Sequence, residues 1–396
     1  MTVGRRLLFS LVTLTLVFGV IEAGCWIAWR VLETRAMRVR TEMGTEALKS
    51  NGINFMMKSD PLLGFTLQPN HPVPGTNSVG FAQRYEVPVA RTAGKLRIVT
   101  MGESTTQGHG PDRGNYPYHL KQLLDDPSLG GAPAEIINAG VAGWFSEQVA
   151  LYAERKVAAY KPDVVIFYAG WNDFQSYTPY GVPPPMSVFH VQYGNPYRIQ
   201  SDFPIKTVVF AVAAYEALLR DTATSRPPAT RQPDGYAGAP EDQYRFLFAN
   251  LDQAIAALRR GNPEVKIVVS TLVARWPDGT RADFDAPQGH VWWMKQEPQV
   301  DPAGAERAMR RFNEAVRAYA RSRKLVLIDV EQAYSGLDRR KLLWDFAHMT
   351  DEGYELMANV IYDSLVKQQV ISGRAPPKLP ELLSKYAKPR PNVKQE

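Results

Sequence analysis

The sequence predicts an α/β fold: a parallel sheet with helices covering both faces. Three observations carry the prediction. From Leu96 onward, short β-branched runs alternate with amphipathic stretches of helical period. No internal repeat interrupts the alternation. An apolar share of 45% over 396 residues is enough to build a sizeable core.

The strand-like runs are Leu96–Met101, Glu135–Asn138, Val164–Tyr168, Val265–Thr271 and Leu325–Asp329. Helical stretches lie between and after them, around 116–126, 145–160, 241–260, 303–323 and 351–369. A strand followed each time by a helix makes parallel neighbours, because a parallel crossover needs a dozen or more residues. Residues 174–240 are rich in Pro, Tyr and Gly, with one apolar helical piece at 205–220, and read as an insertion. The α/β body is therefore expected over 95–370, with that insertion inside it. Residues 31–94 start as a charged helical stretch and become rich in Pro, Gly and Asn, a stalk and lead-in. Residues 371–396 form a basic, Pro-rich tail, expected to be disordered from Gly373 on.

Residues 7–29 form the one long apolar run, preceded by Arg5 and Arg6 and closed by Trp26, Trp29 and Arg30. Twenty-three residues are long enough to cross a bilayer as a helix. Residues 1–30 are thus expected to be an N-terminal membrane anchor. Glu22 is the flaw in the run, placed near its far end where headgroups are in reach. Two alternatives stay open: a cleaved signal peptide, and a lipoprotein with Cys25 as the lipidated residue. Neither has a clean processing site, since Glu22 stands where a lipoprotein box wants an aliphatic residue.

Charge and cysteine content exclude other classes. The net charge of +6 is concentrated at the ends, +4 in residues 1–40 and +4 in 371–396, which leaves −2 on the body. A nucleic-acid binder needs a basic face on its folded domain, so nucleic acid is set aside as a partner. The basic ends suit an anionic membrane surface. Cys25 alone cannot close a disulfide, and one Cys with six scattered His excludes a Cys-rich zinc site. No metal or cofactor is implied.

In an open parallel sheet, chemistry gathers at the carboxyl ends of the strands. The first strand ends in Gly102-Glu103-Ser104-Thr105-Thr106-Gln107-Gly108. A Ser there can present its hydroxyl and its N–H to the same space, or it can simply cap a helix. The second ends in Asn138-Ala139-Gly140-Val141-Ala142-Gly143, a place for close backbone approach or for an ordinary turn. The third ends in Gly170-Trp171-Asn172-Asp173, where an amide can donate to an oxyanion or merely turn the chain. Before the last helix stands Asp345-Phe346-Ala347-His348-Met349-Thr350. That Asp can reach Nδ1 of the His three residues on; equally, Thr350 can be a helix cap.

Taken together and in this order, the four fragments resemble the SGNH hydrolases, the GDSL esterase/lipase superfamily, in its membrane-anchored bacterial form. The resemblance covers about 95–370, and Asp60–Phe65 and Asn77–Phe81 are similar to the lead-in of such proteins. Glu103 departs from the family pattern, which has Asp there. The resemblance implies a flavodoxin-like three-layer α/β/α sandwich with a parallel five-stranded sheet of order 2-1-3-4-5. It implies a serine esterase acting through an acyl-enzyme, with Ser104 as nucleophile, His348 as general base and Asp345 orienting the imidazole. Ser104 N–H, Gly143 N–H and the Asn172 amide would form the oxyanion hole. The substrate expected is a carboxylic ester carrying an acyl or acetyl group, on a small molecule, a lipid or a cell-envelope glycan. The body is expected outside the cytoplasm, although a literal count of Arg around the apolar run would keep it inside.

Aromatic residues near the expected strand ends suggest the alcohol partner. Trp171, Trp292 and Trp293 are candidates for stacking on a sugar ring; the same aromatics could equally pack within a lid. Two other functions stay in view: acyl transfer to a glycan hydroxyl, and glycan binding without catalysis. The Asp-x-x-His spacing resembles the hydrolases, and a complete Ser, Gly, Asn and His set is more than binding needs.

Overall fold

A computed structural model describes residues 3–50, 56–60, 63–72, 75–177, 205–208, 210–211, 244–275 and 302–388. The chain opens with helix α1, Val3–Ser50. A short antiparallel pair follows, β1 (Met57–Asp60) and β2 (Gly64–Leu67), with Met57 opposite Leu67. Then come β3 (Leu96–Gly102), α2 (Ser104–Gln107), α3 (Tyr116–Asp125), β4 (Ala134–Gly140) and α4 (Ser146–Arg155). After β5 (Val164–Tyr168) and α5 (Trp171–Tyr177), the body continues with α6 (Tyr244–Gly261) and β6 (Lys266–Ser270). It ends with α7 (Pro302–Arg323), β7 (Val326–Ile328), α8 (Val330–Ala333), α9 (Arg339–Leu342), α10 (Asp351–Lys367) and α11 (Lys378–Lys385).

Among the described residues the main sheet has five parallel strands in the order β4-β3-β5-β6-β7. This is the expected 2-1-3-4-5 order, and each predicted run lies on its strand within two residues at either end. The strand centres are apolar because helices cover both faces: Ile98, Val99, Ile136, Ile137, Val164 and Ile166 have no exposed surface. On one face α3 packs against α10; on the other α4 packs against α6, which also meets α7. The chain reverses its direction of travel across the sheet at β3. Such a switch point leaves a crevice at the strands' carboxyl ends, and Ser104 stands there.

The lead-in is part of the body from Met57 on. Phe65, Leu67 and Phe81 are buried, and Trp144 donates its indole N–H to Phe65 O at 3.0 Å. Asn77 folds the second lead-in motif into a turn, its Oδ1 accepting from Val79 N–H and Phe81 N–H at 3.2 and 2.9 Å. Up to Lys388 the tail corrects the expectation of disorder; residues 389–396 lie outside the described residues. Leu379, Leu382 and Tyr386 recur at helical spacing and are buried where α11 packs on α10. Pro376 and Pro377 precede that helix, where a missing N–H costs nothing.

Residues Gly4–Ala28 of α1 form a helix long and apolar enough to cross a membrane, with none of the span buried in the protein. Glu22, its one carboxylate, does have partners. Lys206 N–H, Thr207 N–H and the Thr207 hydroxyl donate to it at 2.5, 2.8 and 2.6 Å. The Lys206 ammonium also lies 4.8 Å from the Trp26 ring centroid. The insertion thus comes back to the apolar helix at the position of that carboxylate. The rest of the expected insertion at 174–240 lies largely outside the described residues.

Candidate active site

Two short segments bring the central residues together. Ser104 is the first residue of α2, and the preceding Glu103, at the cap position, makes no side-chain cap. The Ser104 hydroxyl is thus not occupied as a helix cap. It points to His348, with Oγ 2.8 Å from Nε2. His348 lies on a small loop that Leu343 and Met349 close as an antiparallel bridge. Within that loop Asp345 Oδ2 is 2.7 Å from His348 Nδ1. Its other oxygen, Oδ1, accepts Ala347 N–H at 2.8 Å and His348 N–H at 2.6 Å. A carboxylate only accepts, so Nδ1 carries the ring hydrogen and Nε2 presents its lone pair to Ser104. Thr350 does cap α10, accepting from Gly353 N–H at 3.1 Å, so the cap and the Asp–His pair coexist.

The two glycines of the second motif have different reasons. At Gly140 a Cβ would lie 2.3 Å from Gln107 N, so this glycine lets β4 pass close to α2. Gly143 has φ +80, a left-handed turn that other residues rarely adopt, with Phe65 of the lead-in beneath it. Asn172 donates from Nδ2 to Trp144 O at 2.7 Å, next to Gly143, and its second N–H remains for another acceptor. Gln107, a residue of the first strand-end motif to which the sequence assigns no role, joins the two loops: its Oε1 accepts Ala142 N–H at 2.8 Å.

Two buried carboxylates lace the third strand end to its neighbours. Glu103 accepts Gly170 N–H at 2.6 Å and Trp171 N–H at 3.3 Å. Asp173 accepts Ser146 N–H at 2.9 Å and the Ser146 hydroxyl at 2.6 Å, and Asn250 donates to that hydroxyl oxygen. Burial pushes the Glu103 carboxyl well above the ordinary range, and the Asp173 charge pushes it further, against the two backbone hydrogen bonds. Nothing in the sequence signals that acids 70 positions apart converge in this way.

Of the expected stacking residues, Trp171 is buried, its ring edge-on to Phe174 and Phe346. A core position explains that ring without a ligand. Trp292 and Trp293 lie outside the described residues. A different indole, Trp344, stacks on the His348 imidazole at 5.3 Å between centroids and 22° between planes. His109 Nε2 reaches Asp351 Oδ1 at 2.8 Å, tying the segment after Ser104 to the helix after His348. Among the described residues no group of three His, Cys, Asp or Glu side chains is placed to hold a metal ion.

Residues 100–356 match the GDSL-like lipase/acylhydrolase family. Similar solved structures include a GDSL-like lipase from Bacteroides thetaiotaomicron, with 16% identity, a TM-score of 0.39 and coverage of 71% of this chain and 90% of that one. A lipase/acylhydrolase from Enterococcus faecalis gives 16%, 0.39, 71% and 98%. An acetyl xylan esterase gives 16%, 0.38, 68% and 100%. No curated protein matches the chain. The family match spans well over half of the chain, from the end of β3 into α10, and includes all four strand-end and loop motifs. On that match the chain belongs to the GDSL-like lipase/acylhydrolase family of SGNH hydrolases, as a hydrolase acting on esters.

Proposed function

We propose that the protein is a serine esterase that cleaves a carboxylic ester through an acyl-enzyme on Ser104. The observation that carries this reading is the continuous chain of contacts from Ser104 Oγ to His348 Nε2 and from His348 Nδ1 to Asp345, at 2.8 and 2.7 Å. A serine hydroxyl is a weak nucleophile until a base takes its proton, and a neutral imidazole offers its lone pair at that distance. Ser104 Oγ attacks the ester carbonyl carbon as its proton passes to Nε2. Asp345 holds the resulting imidazolium. Ser104 N–H, Gly143 N–H and the free Asn172 N–H receive the oxyanion. His348 then returns the proton to the departing alkoxide, which leaves as the alcohol. Water, deprotonated by the same Nε2, attacks the acyl carbon and releases the carboxylic acid and Ser104.

The domain reading follows: an anchor in residues 1–30, the lead-in, the catalytic body to 370, and the basic tail. The body stands outside the cytoplasm at the membrane surface, and the substrate is an acylated or acetylated lipid or glycan of the cell envelope. The apolar helix and the contacts that Glu22 makes to the insertion support a body held close to the bilayer.

The test is turnover of a simple ester. Ser104→Ala is expected to abolish it. Asn172→Ala is expected to leave a measurable residue, down by about 10²–10³ in kcat as for the loss of one oxyanion donor. Wild-type turnover in purified Ser104→Ala would remove Ser104 from the reaction.

A further inference from the structure

Beyond α1, the exposed large apolar side chains among the described residues are Val79, Val89, Ile205, Val208 and Trp344. Trp344 is the one aromatic in that set, 48% exposed. A scattered exposed aliphatic needs no explanation. An exposed indole stacked on the imidazole beside Ser104 is different, because it sets open aromatic surface next to the Ser104–His348 contact.

The backbone that carries the indole is also held in place. The main-chain N–H of Trp344 donates to His348 O at 3.0 Å, across the base of the loop that carries Asp345 and His348. Beside that bond lie two contacts from Arg275: its N–H donates to Phe346 O at 3.1 Å and its Nη1 to Trp344 O at 3.1 Å. Phe346 faces the imidazole as well, edge-on at 6.1 Å, but turns inward against Trp171. Trp344 is the aromatic neighbour of His348 that keeps open surface.

Direction matters here. In the proposed reaction His348 protonates the leaving oxygen, so the alcohol departs on the imidazole side while the carbonyl oxygen faces the Asn172 side. A group stacked on His348 therefore flanks the alcohol part of the ester, not the acyl part. We propose that the open surface of Trp344 is a ring-binding subsite, which takes the flat C–H face of a pyranose in the leaving alcohol. An indole offers a broad rigid surface with only two torsions to fix, which suits a flat, weakly apolar ring. This inference rests on the esterase reading of Ser104 and adds the class of alcohol.

The test uses the full chain in detergent and two substrates that share the acyl group and differ in the alcohol: ethyl acetate and a methyl glucopyranoside tetraacetate. Trp344→Leu is expected to lower kcat/KM for the pyranoside ester by about 2- to 12-fold, through KM, with ethyl acetate within about twofold. Trp344→Phe is expected to restore part of the loss. Equal losses on both substrates would mean that Trp344 only props His348, and would overturn the subsite. No loss on either, or a wild-type enzyme that cleaves ethyl acetate and not the pyranoside, would overturn it too. Wild-type protein inactive on both esters would instead refute the esterase reading on which the subsite rests.

Discussion

Replacing Asp345 by Asn exchanges one oxygen for an NH₂ and is expected to remove nearly all turnover while leaving the fold intact. Three N–H donors converge on this carboxylate: Ala347 N–H and His348 N–H on Oδ1, and His348 Nδ1–H on Oδ2. Asparagine has a single acceptor oxygen. Turning that oxygen to the ring would leave two backbone donors facing an NH₂, at about 1–3 kcal/mol each. The oxygen therefore stays with the backbone, and the NH₂ faces Nδ1. Nδ1 must then present a lone pair, which moves the ring hydrogen to Nε2. There it points at Ser104 Oγ, 2.8 Å away, and the imidazole can no longer accept the serine proton. A wrong-tautomer substitution of this kind costs about 10⁴ in rate, or about 5 kcal/mol of transition-state stabilisation. The assay is kcat/KM on a chromogenic acetate ester, with nitrogen NMR of the imidazole to read the tautomer. Asp345→Ala provides the contrast: it orphans both backbone donors and is expected to lose about 2–6 kcal/mol of stability that Asn keeps. Turnover in Asp345→Asn within about tenfold of wild type would refute the orienting role.

Two further predictions concern buried charge. Glu103 has a folded-state pKa raised above its unfolded value, so its contribution to stability is full below pH ~4.5 and is lost as pH rises towards the folded value. Urea midpoints of wild type and Glu103→Gln are expected to shift in favour of the variant by up to about 1.4 kcal/mol per pH unit above pH ~4.5; a difference independent of pH would contradict the raised carboxyl. Arg97 is buried, and its five N–H donors are all used, on Glu135 twice and on the carbonyls of Val89, Ala90 and Tyr160. Arg97→Ala is expected to cost about 3–5 kcal/mol in the same unfolding assay, and a loss under about 1 kcal/mol would show that the pair is not buried as described.

The sheet was legible in the sequence because its strands are short, β-branched and separated by helices of clear period, so that each run from Leu96 to Asp329 stands out. That Ser104, His348 and Asp345 come into contact was legible for another reason: each sits in a compact motif at a strand end or before a helix. What escaped was everything that depends on convergence. Phe65 under Gly143, Gln107 on Ala142, and Glu103 on Gly170 link residues far apart in sequence, with no periodic signal. Trp344 escaped because a single Trp before an Asp carries no pattern, whereas Trp292 and Trp293 stand as an adjacent pair. The tail escaped because its Pro content hid the stripe of Leu379, Leu382 and Tyr386.

The most direct test of an activated serine is covalent labelling of the full chain in detergent with a fluorophosphonate, followed by peptide mapping. The account predicts one adduct, on Ser104, absent from Ser104→Ala and lost with His348→Ala. A folded protein with no adduct on Ser104, or one labelled equally well without His348, would contradict it.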